Sequence, residues 1–253
     1  MPDVKQVASV LCVRRVCGFH TQVVIDVGPV QTGAYLFLCS GILKGQEMIT
    51  SAKVKRVAGQ LDEIRAAYFG FQDRFKALPG DFAEVDSAFD CGTACWRGNG
   101  DGRIRSDSVP VHGSQVREDL LVWTHLSQSG FLKGEYRMAD GEAASTDANS
   151  PKNPFSVYMQ IAFDGRYGVG DGGVPRHNLK SGPQVPVEVA AELDRKTDDG
   201  KPYKGGVQFS TYNANDGASP EEGSDDACTA ALDVETNWNL RSGNANCGVA
   251  VLL

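Results

Sequence analysis

The stretch VKRVAGQLDEIRAAYFGFQDRFKALPGDF, residues 54–82, decides the fold. Within it Val54, Val57, Leu61, Ile64, Tyr68, Phe71, Phe75 and Leu78 recur at alternating spacings of three and four. That rhythm puts one apolar seam along a single helix face. Lys53, Lys55, Arg56, Asp62, Glu63, Arg65, Gln72, Asp73, Arg74 and Lys76 fall on the other faces. Extended back to Leu43, the pattern predicts a helix over 43–78, about 54 Å long at about 1.5 Å per residue. Pro79-Gly80 ends it, because proline disfavours helix in the residue before it and lacks a donor. A narrow seam also suits a coiled coil. The rings of Tyr68, Phe71 and Phe75 favour packing on a sheet instead, since bulky aromatics fit knobs-into-holes seams poorly.

Downstream, Asp81 is placed to cap a short helix, with Glu84 at the capping-box position. Residues 91–107 read as loop. Val116, Leu120, Trp123 and Leu126 share one face of a second helix over 116–129, closed by Gly130. A polar loop over about 138–153 follows. Phe155, Val157, Met159, Ile161 and Phe163 then alternate with Ser156, Tyr158, Gln160 and Ala162, the period of a strand. Asp164-Gly165 reads as a hairpin turn into Arg166–Val169. A third helix from Pro186 to about Lys196 turns Val189, Ala190 and Leu193 inward, and strands at about 205–212 and 248–253 finish the chain. Helix first and strands later indicate an α+β fold.

The chain has 253 residues with 25 Lys+Arg against 32 Asp+Glu and a net charge of -7, a length that suits one ordinary domain or one domain plus an appendage. Hydrophobic residues at 41% and charged residues at 23% exclude wholesale disorder. A net acidic chain without a Lys/Arg block is no nucleic-acid binder, because neutralising phosphates needs clustered cations. His20, His112, His125 and His177 lack metal-ligand spacing, and no HExxH, GxSxG, Walker A or GxGxxG pattern occurs. Without a nucleophile–base constellation, the chain is expected not to be an enzyme, and no catalytic residue is assigned.

Residues 1–42 form a separate, atypical region. An apolar stretch from Val23 to Leu43 is long enough to span a bilayer, but Asp26, Gly28-Pro29, Gln31 and Thr32 interrupt it. Of seven cysteines, Cys91, Cys95, Cys228 and Cys247 lie in the polar body. An even number in loop sequence suggests two disulfides and an oxidising compartment, with the connectivity open among three pairings. Zinc is the competing reading, disfavoured by the CxxxC spacing and the lack of an adjacent histidine.

The order of these motifs resembles the prepilin-type family of type IV pilins and type II secretion pseudopilins. FQDRFKALPGDF (Phe71–Phe82) ends a helix in that family's manner. GNGDGRI (Gly98–Ile104), Trp123-Thr124-His125-Leu126 with Gly130 and Gly134, and LDRKTDDG (Leu193–Gly200) follow in order. The segment Cys228 to Cys247 looks like the disulfide-closed loop of many pilins. The resemblance covers about residues 41–253 and implies a pilin-like α+β fold: a long N-terminal helix packed on a small antiparallel sheet, with large disulfide-tied loops, in a globular domain over 43–253.

At the N-terminus, Arg14, Arg15, Gly18 and Phe19 match the family's cleavage junction. Val23 stands where the family has a glutamate, and Asp26 and Pro29 break the apolar helix. A reading-frame or gene-model error between about residues 20 and 40 would account for that loss, since the match resumes at Gly41; the alternative is a real loss of the anchor. The resemblance further implies a minor pilin or pseudopilin, held in the bacterial inner membrane with a periplasmic body or displayed on an extracellular pilus. Its partners would be other pilin subunits and a prepilin peptidase. The competing class is a secreted or surface-exposed binding protein, such as a calcium-dependent adhesin, built on the same body.

Candidate calcium ligands fall in two places. Asn99 and Asp101 sit in the Gly-rich loop, where a plain turn tied off by Cys91 and Cys95 explains the same residues. Asp194, Asp198 and Asp199 cluster before Gly200, where calcium competes with a solvated helix end. His125 reads as structural. Tyr203, Tyr212 and Trp238 are candidates for a sugar- or protein-binding face, although single aromatics need no such role.

Overall fold

A computed structural model describes residues 12–16, 19–23, 32–89, 96–111, 113–167, 173–214 and 218–253. The chain divides into two compact units, Met1–Ala52 and Lys53–Leu253. In the first unit β1 (Cys12–Val16) pairs antiparallel with β2 (Phe19–Val23) in the register Cys12↔Val23 to Val16↔Phe19. Phe19 therefore opens a strand where the family resemblance implies helix; Gly18 lies outside the described residues. Helix α1 (Thr32–Phe75) crosses the unit boundary. Among the described residues, no helix is long and apolar enough to cross a membrane.

The second unit combines helices with antiparallel sheets, the α+β class. Val54, Val57, Leu61, Ile64, Tyr68 and Phe71 of α1 are buried, and the charged residues between them are exposed. These seam residues share one core with Ile161, Leu179, Val249 and Val251, so apolar burial, the dominant favourable term, sets the seam against strands. The helix stops at Phe75, three residues before the expected end at Leu78. Lys76 takes a left-handed conformation (φ 53°) while its N–H still reaches the Gln72 carbonyl at 2.9 Å. It fills the cap position usually taken by glycine.

The main sheet has the strand order β5-β6-β8-β7, antiparallel throughout: β5 (Gln160–Asp164), β6 (Arg176–Lys180), β7 (Val207–Phe209) and β8 (Val249–Leu252). Ile161, Leu179, Val207, Phe209, Val249 and Val251 enter the α1 core. The alternate residues Gln160, Asp164, Asn178, Lys180 and Gln208 form the opposite face. Before the sheet come the four-residue helix α2 (Val85–Ala88), the hairpin β3 (Ser108–Val111)–β4 (Ser114–Arg117) and helix α3 (Glu118–Gln128). Val109, Val111, Val116, Leu120, Leu121 and Met138 make a second small core. Helix α4 (Val187–Thr197) follows β6 and buries Val189, Ala190 and Leu193, as their spacing predicts.

Three expectations are corrected. The helix expected from residue 116 begins at Glu118, and Val116 belongs to β4. The strand expected over 155–163 is confined to Gln160–Asp164. Asn153 Oδ1 accepts the N–H groups of Phe155 (2.8 Å) and Val157 (3.1 Å), and Ser156 is left-handed (φ 66°), so a side-chain-stabilised turn takes the first half of the alternating run. β5 pairs with Arg176–Lys180, and of the strand expected over Arg166–Val169 residues 168 and 169 lie outside the described residues. Arg166 instead folds back, its N–H on Asp164 Oδ1 at 3.2 Å.

Cys228 and Cys247 form a disulfide with Cα atoms 5.7 Å apart, and both are buried. Cys91 and Cys95 lie outside the described residues. Replacing the pair by Cys228→Ser and Cys247→Ser should lower stability by about 2–4 kcal/mol through the released chain entropy. Urea unfolding of the two proteins without reductant checks this.

Candidate functional site

The motifs that stand apart in sequence meet around one carboxylate. Gly80-Asp81 leaves the α1 exit turn and meets the loop 98–102. The Asp81 carboxylate accepts N–H groups from Gly100 (2.6 Å) and Asp101 (3.0 Å) on Oδ1 and from Gly102 (2.7 Å) on Oδ2. Three successive amides thus make a nest for an anion. The main chains also join, Gly98 N–H to Phe82 O at 3.0 Å and Gly100 N–H to Asp81 O at 3.1 Å. Glycine is obligatory here: a Cβ on Gly98 would lie 2.4 Å from the Asp81 backbone, and one on Gly80 (φ 89°) would lie 2.5 Å from Glu118 O.

Asp81 therefore does not cap α2. That helix begins after Glu84 without a side-chain cap bond. The carboxylate is drawn to three donors held together by the Gly-rich loop rather than to one helix end.

Helix α3 supplies the rest of the junction. Glu118 is fully buried and accepts Asn99 N–H (3.0 Å) on Oε1 and Arg105 N–H (3.1 Å) on Oε2. Burial outweighs those two donors and raises its pKa to about 7. His125 Nδ1 accepts Gly80 N–H at 2.9 Å, so the ring proton sits on Nε2 and donates to Trp96 O at 2.9 Å. Its ring stacks on Phe71 with centroids 6.1 Å apart. Burial lowers its pKa to about 4. Both ring nitrogens are committed to backbone, which makes His125 a positioning residue.

The sequence placed Asn99 and Asp101 as cation ligands; the geometry turns them to other work. Asn99 Oδ1 accepts Asp101 N–H at 2.9 Å. Asp101 Oδ1 accepts Arg103 N–H at 3.0 Å, and its Oδ2 receives the Arg105 fork at 3.0 and 2.7 Å. Burial opposes ionisation of Asp101, but the Arg105 guanidinium holds its pKa below the usual carboxylate value. Asp81, Asp101 and Glu118 bring carboxylate oxygens within 4.8 Å of one another. Every one of those oxygens accepts an N–H. The loop is wound around the Asp81 anion, with the Asp101 and Glu118 carboxylates beside it.

Asp194, Asp198 and Asp199 do come together, with oxygens within 4.8 Å of one another. Asp194 is buried at the end of α4 and accepts Trp238 Nε1–H (2.7 Å) and Gly200 N–H (3.2 Å). Burial raises its pKa to about 6. Asp198 Oδ2 accepts Gly206 and Val207 N–H groups, and Asp199 Oδ1 accepts Lys201 N–H at 2.9 Å. Asp198 Oδ1 and Asp199 Oδ2 are left without a donor among the described residues. The cluster ties α4 and β7 to the disulfide loop through Trp238. Tyr203 is tied down as well, its hydroxyl donating to Glu222 at 2.6 Å and paired with Thr229 at 2.9 Å.

Sequence reasoning missed Asp81 as the anion of the nest and Glu118 as its neighbour. The signal available was the spacing of Gly98, Gly100 and Gly102, which frees successive amides to face one group. No protein-family model, curated protein or solved structure matches the chain.

Two outcomes test this junction. Asp81→Ala should cost about 2–3 kcal/mol by leaving three amides without their acceptor, and Asp81→Asn, which keeps one accepting oxygen, should recover part of it, both read by urea unfolding. The imidazole of His125 should remain in the Nε2–H form well below pH 6, as read from ring nitrogen chemical shifts. Because its folded pKa is depressed, its contribution to stability is complete above about pH 6.5 and is lost as pH falls toward about 4.

Proposed function

We propose that the chain is a non-enzymatic structural subunit, a minor pilin or pseudopilin of a type IV pilus or type II secretion filament. The observation that carries this reading is the junction around Asp81. ALPGD, GNGDGRI and the Trp123–Leu126 motif, whose order resembles prepilin-type proteins, interlock there through Gly80, the loop 98–102 and His125. The shared core of α1 and the antiparallel sheet, and the Cys228–Cys247 loop, support a pilin-like body of the same kind.

On this reading the basic segment ending at Gly18 is a leader, removed by a prepilin peptidase so that Phe19 becomes the first residue. The subunit is held at the inner membrane with its body in the periplasm, then joins other pilin-like subunits through its N-terminal helix, driven by apolar burial. A large body with acidic loops suits a minor or tip position; that step rests on analogy between folds.

Intact and N-terminal mass spectrometry of the protein from its native host's envelope fraction, without reductant, tests the reading. The expected mature chain starts at Phe19, or at a different sequence with a restored apolar helix. A chain starting at Met1 in the soluble fraction would overturn it and leave a free binding domain as the working function.

A further inference from the structure

The face of the sheet turned away from α1 is polar and yet covered. Gln160 and Lys180 are each 5% exposed, and Asn178 is fully buried. Above Gln160, Asp164 and Lys180 lies a cavity of about 340 Å³, walled by Arg117, Tyr167 and Tyr212. That volume is at the small end of the range for small-molecule sites.

The charges around the cavity are unevenly compensated. Lys180 Nζ donates to Asp164 Oδ2 (2.7 Å) and Gln160 Oε1 (2.9 Å). Arg117 forks onto the buried Asp119 at 2.8 and 2.6 Å, and Asp119 also accepts Gln160 Nε2–H at 2.7 Å. Two of the three cations are thereby neutralised and fixed. The third, Arg166, lines the cavity with an exposed guanidinium that has no ion pair or side-chain hydrogen bond among the described residues. One positive charge is left at the opening.

Two aromatic side chains complete the wall. Tyr167 is anchored, its hydroxyl 2.8 Å from Ser210 Oγ. The ring of Tyr212 is held 5.4 Å from Lys180 Nζ. Its hydroxyl is buried, with the Ser145 side chain beside it as its hydrogen-bonding neighbour. A hydroxyl has one donor and two acceptor sites, so this one can meet a ligand atom as well as Ser145. Ser106, Thr211 and Ser219 add further hydroxyls to the lining. An apolar occupant would strand all of these groups.

We propose that this cavity binds a small polyhydroxylated monoanion, a sugar acid. Its carboxylate would pair with the Arg166 guanidinium, and its hydroxyls would meet Tyr212 and the serine and threonine wall. A guanidinium is suited to the carboxylate because its planar fork matches two oxygens at once. The saturated ring of the sugar would lie against the face of Tyr212. This assignment is independent of filament assembly.

Calorimetric titration of the full chain with D-galacturonate, D-glucuronate and N-acetylneuraminate tests it, with D-galactose and inorganic phosphate as controls. At least one sugar acid should bind in the millimolar range or tighter, and neutral galactose about tenfold more weakly, the worth of one charge-assisted contact. Arg166→Gln should weaken the acid about tenfold at an unchanged melting temperature, because Arg166 holds nothing else in place. Tyr212→Phe, which keeps the ring, should weaken it as well. Failure of all three acids to bind, full affinity in Arg166→Gln, or phosphate binding as tightly as the best acid would each overturn the proposal.

Discussion

The Asp81 carboxylate is 5% exposed, and taking an anion out of water is costly unless donors replace the hydration it loses. Burial accordingly raises its pKa, while the amides of Gly100, Asp101 and Gly102 oppose that rise. The arrangement holds only if the chain arrives and leaves without side chains in the way, which explains Gly80 and Gly98. Once the loop is wound around Asp81, Asn99 and Arg105 reach Glu118, and Gly80 reaches His125. The exit of α1, the loop and the start of α3 are therefore one unit of structure. Beyond it, Ile104 accepts Phe163 N–H at 2.8 Å, which ties the same loop to β5.

At the other end of the body the same logic uses different acids. Asp194 gives up solvent for the Trp238 indole, and Asp198 gathers amides at the start of β7. The disulfide loop is thereby held at its two ends by Cys228–Cys247 and near its middle by Trp238. In both places an acidic sequence motif organises backbone donors. A run of acids in a turn-rich chain resembles a cation site when read as letters, and in this fold the same carboxylates also collect backbone N–H groups.

Much of this was legible beforehand. The seam of α1, the inward face of α4, the positions of β7 and β8 and the α+β class follow from periodicity, which burial enforces directly. The strand β6 was not legible, because in Arg176-His177-Asn178-Leu179-Lys180 the period of two is written in polar residues that face a covered pocket. The first half of the Phe155–Phe163 run misled for the opposite reason: its apolar alternation is real, but Asn153 bends the backbone locally. The wall of that pocket draws on Arg117, Gln160, Arg166, Lys180 and Tyr212, brought together from separate segments by strand register alone. No linear spacing marks such a set.

The borders of the main sheet carry a last consequence. On the outer side of β7, Val207 N–H is taken by Asp198 and Phe209 N–H by the Pro202 carbonyl at 2.6 Å. On β5, Phe163 N–H is taken by Ile104. Three of the amides that an incoming strand would pair with, two on β7 and one on β5, are thus already engaged, which weakens edge-to-edge pairing. Copies of this body packed at high local density would meet fewer open amides along these borders, which favours contact through side chains over a shared sheet.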